Sequence, residues 1–410
     1  MSGLRLLLLE PELGGHQADH LRHLVSFFTA RRPVAALDLV VAPGFADAIE
    51  PHFRALLDDT PDVSVLPLAR AEADAWMDPW LWRRSLRRWA IMRRWMGRLG
   101  PDHVHVLHLD QIQAPLAARR PVPGGTTLSG VLFRPSVHYD RFAGAPRPRP
   151  AERLRDARKR LLLRGALGHP ALVRVFSLDP FFPDYAREAW GTGDRVAPLP
   201  DPVLFARAGG GPAETPFPPG RTGFLVFGLL QRRKGVLEAL EAAARLDGPT
   251  ARRVALLFGG RLEDGIRDEF LARLEEVRAR APDVWIELLD RRLPARELAA
   301  LLAASDVVLA PYRRFVGSSG VLHAAAGAGK PVITQDYGLL GESTRRHGLG
   351  LAVDTTDPEA IAAAMRACVE RGPAEIGSPE GRARYAEGKT PERFAEAVFE
   401  GIRAGRGEGG

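Results

Sequence analysis

Between Leu309 and Glu342 the chain reads LAPYRRFVGSSGVLHAAAGAGKPVITQDYGLLGE. A short apolar run meets a glycine-serine turn at Gly317, Ser318, Ser319 and Gly320. A small-residue segment, Val321 to Ala328, follows with the composition of a helix that packs closely on a sheet. Pro331 ends it, and PVITQD reads as a buried strand. Strand, glycine turn, helix and strand in this order define one βαβ unit of a parallel sheet. A turn of this kind also offers backbone N–H groups at a helix N-terminus, where the helix dipole favours an anion. Gly-Ser-Ser-Gly alone is equally satisfied by a plain turn.

The same grammar recurs along the chain. Leu4 to Leu9 is apolar without alternation, as expected of a strand covered on both faces. A turn at Gly14, Gly15 and His16 follows, and Leu21, Leu24, Val25 and Phe28 mark one face of a helix over 17–31. Further strands are expected at 37–42, 63–68, 102–109, 125–133 and 173–178, with a helix over 46–57. Gly223 to Gly228 (GFLVFG) opens a second series. It continues with the basic loop LLQRRKG, an amphipathic helix, strands at 254–259 and 284–289, and the stretch described above. The fold class is therefore α/β with two Rossmann-like domains. The expected boundaries are an N-terminal domain over 1–205, a Gly- and Pro-rich linker over 206–222, a C-terminal domain over 223–383 and a last helix over 384–403. The 410 residues suffice for two such cores.

Composition excludes several classes. The single cysteine, Cys368, permits no disulfide within the chain. No apolar run is long enough to span a bilayer, and the first apolar run is too short for a secretory signal. The net charge of +7 suits a phosphorylated or otherwise anionic partner. Without a zinc-ligand cluster or an RNA-binding motif, nucleic acid is not expected. Localisation is expected in the cytoplasm, with association at the cytoplasmic membrane face as a second expectation. The ground for that is the segment 76–98, which holds five of the seven tryptophans, Trp76, Trp80, Trp82, Trp89 and Trp95, among seven arginines. Helical spacing sets Trp82, Leu86, Trp89 and Met96 near one face. A basic helix with indoles suits an anionic membrane surface; a core-facing helix with a solvated rim satisfies the same pattern.

The second series resembles the donor-binding half of GT-B glycosyltransferases, in particular the retaining family 4, or group 1, type. The likeness is carried by GFLVFG, the basic loop with Lys234-Gly235, and the Gly-Ser turn before GKPVI. It covers about Gly223 to Asp354 well and the first domain loosely. The resemblance implies two domains facing across a cleft and a last helix that crosses back to the first. It implies a nucleoside diphosphate sugar as donor substrate, no cofactor and no metal. Lys234 matches the family lysine that holds the diphosphate. The family arginine is Leu229 here, so Arg232 or Arg233 stands in, with Arg233 preferred. Gly317, Ser318, Ser319 and Gly320 would hold phosphate, Arg291 would reach the base, and Gly338 and Glu342, in the loop after PVITQD, would approach the sugar. In the first domain the strand DHVHVLHL supplies His105 at the family histidine position, with His108 nearer the strand end. Gly14, Gly15, His16, Arg134, His138 and Tyr139 are candidates for the cleft or acceptor side.

One departure stands out. The family's two glutamates, eight residues apart, fall on Val316 and Ala324. The ribose contact and part of the sugar contact must therefore differ or be absent. The implied activity is sugar transfer to an acceptor hydroxyl with retention, in glycan, glycolipid or natural-product synthesis. A non-catalytic GT-B partner protein and a nucleotide-sugar epimerase or hydrolase remain as alternatives. A dehydrogenase is disfavoured by the incomplete G-x-G-x-x-G.

Overall fold

The computed structural model describes residues 3–12, 16–142, 150–202 and 216–407. They divide into two compact units. The described residues of the first lie within Met1–His138, Arg147–Pro200 and Thr390–Gly410; those of the second lie within Tyr139–Pro146 and Asp201–Lys389. Most of the stretch taken as the linker lies outside the described residues.

The first unit holds a seven-stranded parallel sheet. Its strands are β1 (Arg5–Glu10), β2 (Ala36–Val41), β3 (Val63–Pro67), β4 (His103–Val106), β5 (Thr127–Leu132), β6 (Leu172–Ser177) and β7 (Val196–Pro198), in the order β3-β2-β1-β4-β5-β6-β7. The second holds a six-stranded parallel sheet of β8 (Thr222–Phe227), β9 (Val254–Gly259), β10 (Trp285–Leu289), β11 (Val307–Ala310), β12 (Val332–Gln335) and β13 (Gly350–Val353), in the order β10-β9-β8-β11-β12-β13. In each sheet the strand order reverses once, between β1 and β4 and between β8 and β11. Ligands of open parallel sheets bind at the carboxyl ends of the strands at such a reversal.

Continuous apolar strands follow from helices on both faces. Leu7 and Leu9 enter one core with Trp89, Met92 and Trp95, while Leu6 and Leu8 enter the other with Leu24, Phe28 and Phe399. In the second unit Phe224 and Val226 face one core, and Leu225 and Phe227 face the other. Side chains alternate across the pleat, so a strand buried on both faces has no polar side.

The last helix, Pro391–Gly405, belongs to the first unit. Its N-terminus is set by Thr390, whose side chain accepts the Arg393 N–H, and by Pro391 in the first turn. Phe394, Val398, Phe399 and Ile402 are fully or almost fully buried with the helix His16–Arg31 and β6. Gly401 lies against the Phe176 ring, where a Cβ would come within 2.6 Å.

Local differences from the sequence pattern have clear causes. The helix expected over 46–57 is two, Phe45–Ala48 and Pro51–Asp58, because Pro51 cannot continue a helix but can start one. The strand expected over 102–109 is confined to His103–Val106, and a single 3-10 turn, Leu109–Gln111, follows. Gly338 and Glu342 lie in a helix, Gly338–His347, where a loop was expected. Gly341 permits this: a Cβ there would sit 2.4 Å from the Asp336 carbonyl carbon.

Phe394→Ala should lower the unfolding free energy of the first unit by about 3–5 kcal/mol, from lost burial and the cavity left behind. A urea transition as late as that of the parent chain would show that this helix does not close the core.

Candidate active site

At the reversal of the second sheet, two loops leave the carboxyl ends of β8 and β11. Gly228 follows β8 with φ 92°, and a Cβ there would come 2.7 Å from the Lys234 Nζ. The bare glycine thus leaves room for the ammonium, which donates to the Phe227 carbonyl at 3.1 Å. Gly235, with φ 69°, carries the chain so close to the β11 loop that a Cβ would lie 1.8 Å from the Pro311 carbonyl oxygen. The Arg313 N–H donates to the Arg233 carbonyl at 2.9 Å, so the two loops are joined through backbone.

Above this junction Arg233 lies over the rings of Tyr312 and Phe315, 5.9 and 5.0 Å from their centroids. Its guanidinium also donates to the Gln231 side-chain oxygen at 3.0 Å. Phe315 is fixed in turn by buried Gln335, whose amide accepts from the Phe315 N–H at 3.0 Å and donates to its carbonyl at 2.6 Å. Tyr312 places its hydroxyl 3.1 Å from Ser319, the residue that starts the helix Gly320–Gly327. The structure therefore brings Arg233, Lys234 and the Gly317–Gly320 turn together, through two aromatic rings.

An open cavity of about 440 Å³ lies here, lined by Arg232, Arg233, Arg313, Arg314 and Thr356. That is within the size range of small-molecule sites. Arg232 is paired with Glu269, and Arg313 with Glu238 at 3.0 Å. Among the described residues Arg233 and Arg314 have no acidic partner within ion-pair distance. Burial, and then the neighbouring Arg233, push the Lys234 ammonium down to about 8. Such a group regains charge stability when an anion arrives. Four guanidinium groups and a desolvated ammonium at the strand ends can hold a polyphosphate.

The serines of the turn have other engagements. Ser318 donates to Asp201 Oδ2 at 2.6 Å and lies 2.8 Å from His323 Nε2. The His323 ring stacks on Tyr385 with centroids 5.5 Å apart. Both hydroxyls are thus engaged within the unit, and the turn's N–H groups are what remain for an anion. The positions matching the family glutamates hold Val316, partly buried, and Ala324, in the core. Arg291 lies two residues beyond β10, at the sheet edge, and is paired with Glu297. Glu342 is buried and held by Arg346 at 2.5 Å.

In the first unit the histidines separate. His105 is fully buried inside β4, accepting or donating at Ser129 Oγ, 2.8 Å from Nδ1. Burial pushes it down to about 3, so it is neutral at any physiological pH. His108 lies beyond the strand, 2.5 Å from the Gln111 amide and 3.9 Å from Asp110. It lines a cavity of about 10 Å³, room for roughly one water, with Glu10, Glu12, Arg88 and Gln111. Burial holds the Glu10 carboxyl up to about 8, and the Glu12 N–H offsets this in part from 2.9 Å. Arg88 is buried too, donating to the Trp76 carbonyl at 3.0 Å and to Glu12 at 3.1 Å. Sequence reading passed over Glu10 and Arg88; the acidic end of LLLLE at the reversal position was the available signal.

Arg134 is exposed; its N–H donates to Asp110 at 3.3 Å. His138 is buried, bonded to the Pro135 carbonyl at 2.9 Å and 3.3 Å from Asp179, and is an internal packing residue. Tyr139 is buried against Phe142, with ring centroids 5.0 Å apart, and groups with the second unit. Gly14 and Gly15 lie outside the described residues, as does the side chain of His16.

Residues 221–371 match the family model for Glycosyl transferases group 1. The match agrees with the resemblance carried by GFLVFG and Lys234-Gly235, and it includes every residue that lines the arginine cavity. No curated protein sequence matches the chain. Solved structures do. Sucrose-phosphate synthase from Thermosynechococcus elongatus is 17% identical with a TM-score of 0.66, covering 99% of this chain and 100% of that one. The UDP-forming α,α-trehalose-phosphate synthase from Burkholderia vietnamiensis is 16% identical with a TM-score of 0.67, covering 98% and 100%. Anabaena HepE, solved in complex with UDP, is 15% identical with a TM-score of 0.59, again covering 98% and 100%. The chain has the two-domain GT-B fold.

The titration of Lys234 gives a stability prediction. Its folded value of about 8 lies below the ordinary 10.5, so folding releases a proton between the two and stability rises with pH across that window. Lys234→Met removes the buried charge. The variant should be more stable than the parent at neutral pH by up to about 3 kcal/mol, and urea titrations should show the gap closing as pH approaches 10.5. A gap that does not change with pH would mean Lys234 titrates normally.

Proposed function

We propose that the chain is a glycosyltransferase that moves a sugar from a nucleoside diphosphate sugar to an acceptor hydroxyl, with retention at the anomeric carbon. The observation that carries this reading is the arginine-lined cavity at the β8/β11 reversal, with Lys234 beneath it, inside the segment that matches the glycosyltransferase model. The leaving group is a nucleoside diphosphate whose negative charge grows as the glycosidic bond breaks. Cations placed in advance stabilise that charge without moving. Lys234 and Arg233 hold the diphosphate, with Arg314 adding charge, and no metal or cofactor is needed for the step. Retention rests on the group 1 likeness. UDP is the first nucleotide to try, since two of the similar structures name it.

His108, with Glu10 and Arg88 around a cavity that holds roughly one water, is the polar group at the strand ends of the first unit. His105, neutral and enclosed, acts there by supporting β4. A second reading is a non-catalytic GT-B protein, favoured by Val316 and Ala324 in place of acidic residues.

A thermal-shift series with UDP, GDP, ADP and their sugar conjugates separates the two. The transferase reading expects one nucleotide family to raise Tm through binding linkage. Lys234→Ala should abolish that shift and lower kcat/KM by about 10²–10³. The absence of any shift in the parent chain would favour the non-catalytic protein. NMR of the anomeric proton in the product would establish retention or inversion directly.

A further inference from the structure

The helix Leu81–Leu99 turns Ser85, Arg88, Trp89, Met92, Trp95 and Met96 into the core. This corrects the helical-face reading, because Trp89 and Met96 are buried while Trp82 and Leu86 are outside. What remains outside is unusual. Met77, Trp80, Leu81 and Trp82 form one stretch at the helix start, and are 57, 62, 77 and 67% exposed. Isolated exposed apolar residues need no explanation, but two indoles and two aliphatic chains in six residues form a patch.

The surroundings of the patch are cationic. The helix carries no acidic residue, and its exposed side bears Arg83, Arg87, Arg93, Arg94 and Arg98. Arg83 and Arg87 reach Asp78, and Arg94 reaches Glu72. Arg93 and Arg98 have no acidic partner among the described residues. A second basic helix, Pro150–Leu167, lies close by, since the short helix Gln113–Ala117 packs against both. It exposes Leu154 and Leu161, each at 75%, on the same helical face as Arg158.

We propose that this face of the first unit docks on an anionic lipid bilayer. Trp80, Leu81 and Trp82 enter the boundary between headgroups and acyl chains, where indoles are at home, and the arginines meet lipid phosphates. Charge decides between occupants. A second copy of the chain would bring arginines against arginines, whereas an anionic surface complements them. No helix among the described residues is long and apolar enough to cross a membrane, so the contact is peripheral. This inference is independent of the sugar-transfer reading.

The test is co-sedimentation of the full chain with vesicles of phosphatidylcholine, alone or with phosphatidylglycerol. Binding should be at least about tenfold tighter with the anionic lipid and should weaken with salt. Replacing Trp80, Leu81 and Trp82 together by Ser should reduce binding about tenfold or more with Tm unchanged, because these side chains are exposed. Arg93→Gln with Arg158→Gln should remove part of the preference for anionic lipid. Brominated phosphatidylcholine mixed with phosphatidylglycerol should quench tryptophan fluorescence of the parent chain, a readout that needs no variant. No binding to anionic vesicles, binding that survives the triple substitution, absence of quenching, or a dimer that the triple substitution dissolves would each overturn the proposal.

Discussion

The close approach of two backbones organises the candidate site. Gly235 rests against the Pro311 carbonyl with no room for a side chain, and the Arg313 N–H closes the junction on Arg233. Every cation in the cavity is positioned from these two loops. Arg232, Arg233 and Lys234 come from the first, and Arg313 and Arg314 from the second. Separating the loops by the width of one methyl group would move the aromatic floor of Tyr312 and Phe315 away from Arg233. The site is rigid because its geometry is decided by main chain, and side chains only decorate it.

That rigidity has an electrostatic cost. A lysine held against a carbonyl beside arginines carries its charge less favourably than in water, and the protein keeps it where burial disfavours that charge. Structural economy alone would replace it with an apolar residue. Its retention beside unpaired arginines is what a site awaiting an anion requires, since the ligand supplies the missing negative charge. The Glu10 carboxyl, held up to about 8 in the other unit, shows the same tension with the opposite sign.

Much of the fold was legible because both-sided burial leaves a plain mark. GFLVFG and VALLFG carry no polar alternation, and the glycines after them announce the turns. The Lys-Gly loop was legible through its resemblance to the family pattern, and the structure adds the physical reason for its glycine, the approach to Pro311. The partners of Ser318 were not, since Asp201 lies 117 positions away and no local pattern predicts it. The tryptophan segment shows another limit. Helical spacing orders residues around an axis, but it does not say where along that axis the core ends. Trp82 and Trp89 lie on related faces, and only the second reaches the sheet. The helix Gly338–His347 escaped notice because its two glycines suggest a loop, and the contact that requires one of them is visible only in three dimensions.

The return of the helix Pro391–Gly405 to the first unit has a consequence for biogenesis. The strands of that unit are made first, yet the face that receives Phe394, Val398 and Phe399 stays uncovered until the helix Pro391–Gly405 has been made. The second unit, whose described residues are all made before Thr390, can complete its own core in the meantime. Folding of the amino-side unit is thus completed from a segment made nearly two hundred residues after its last strand, so its contact order is set by that one helix.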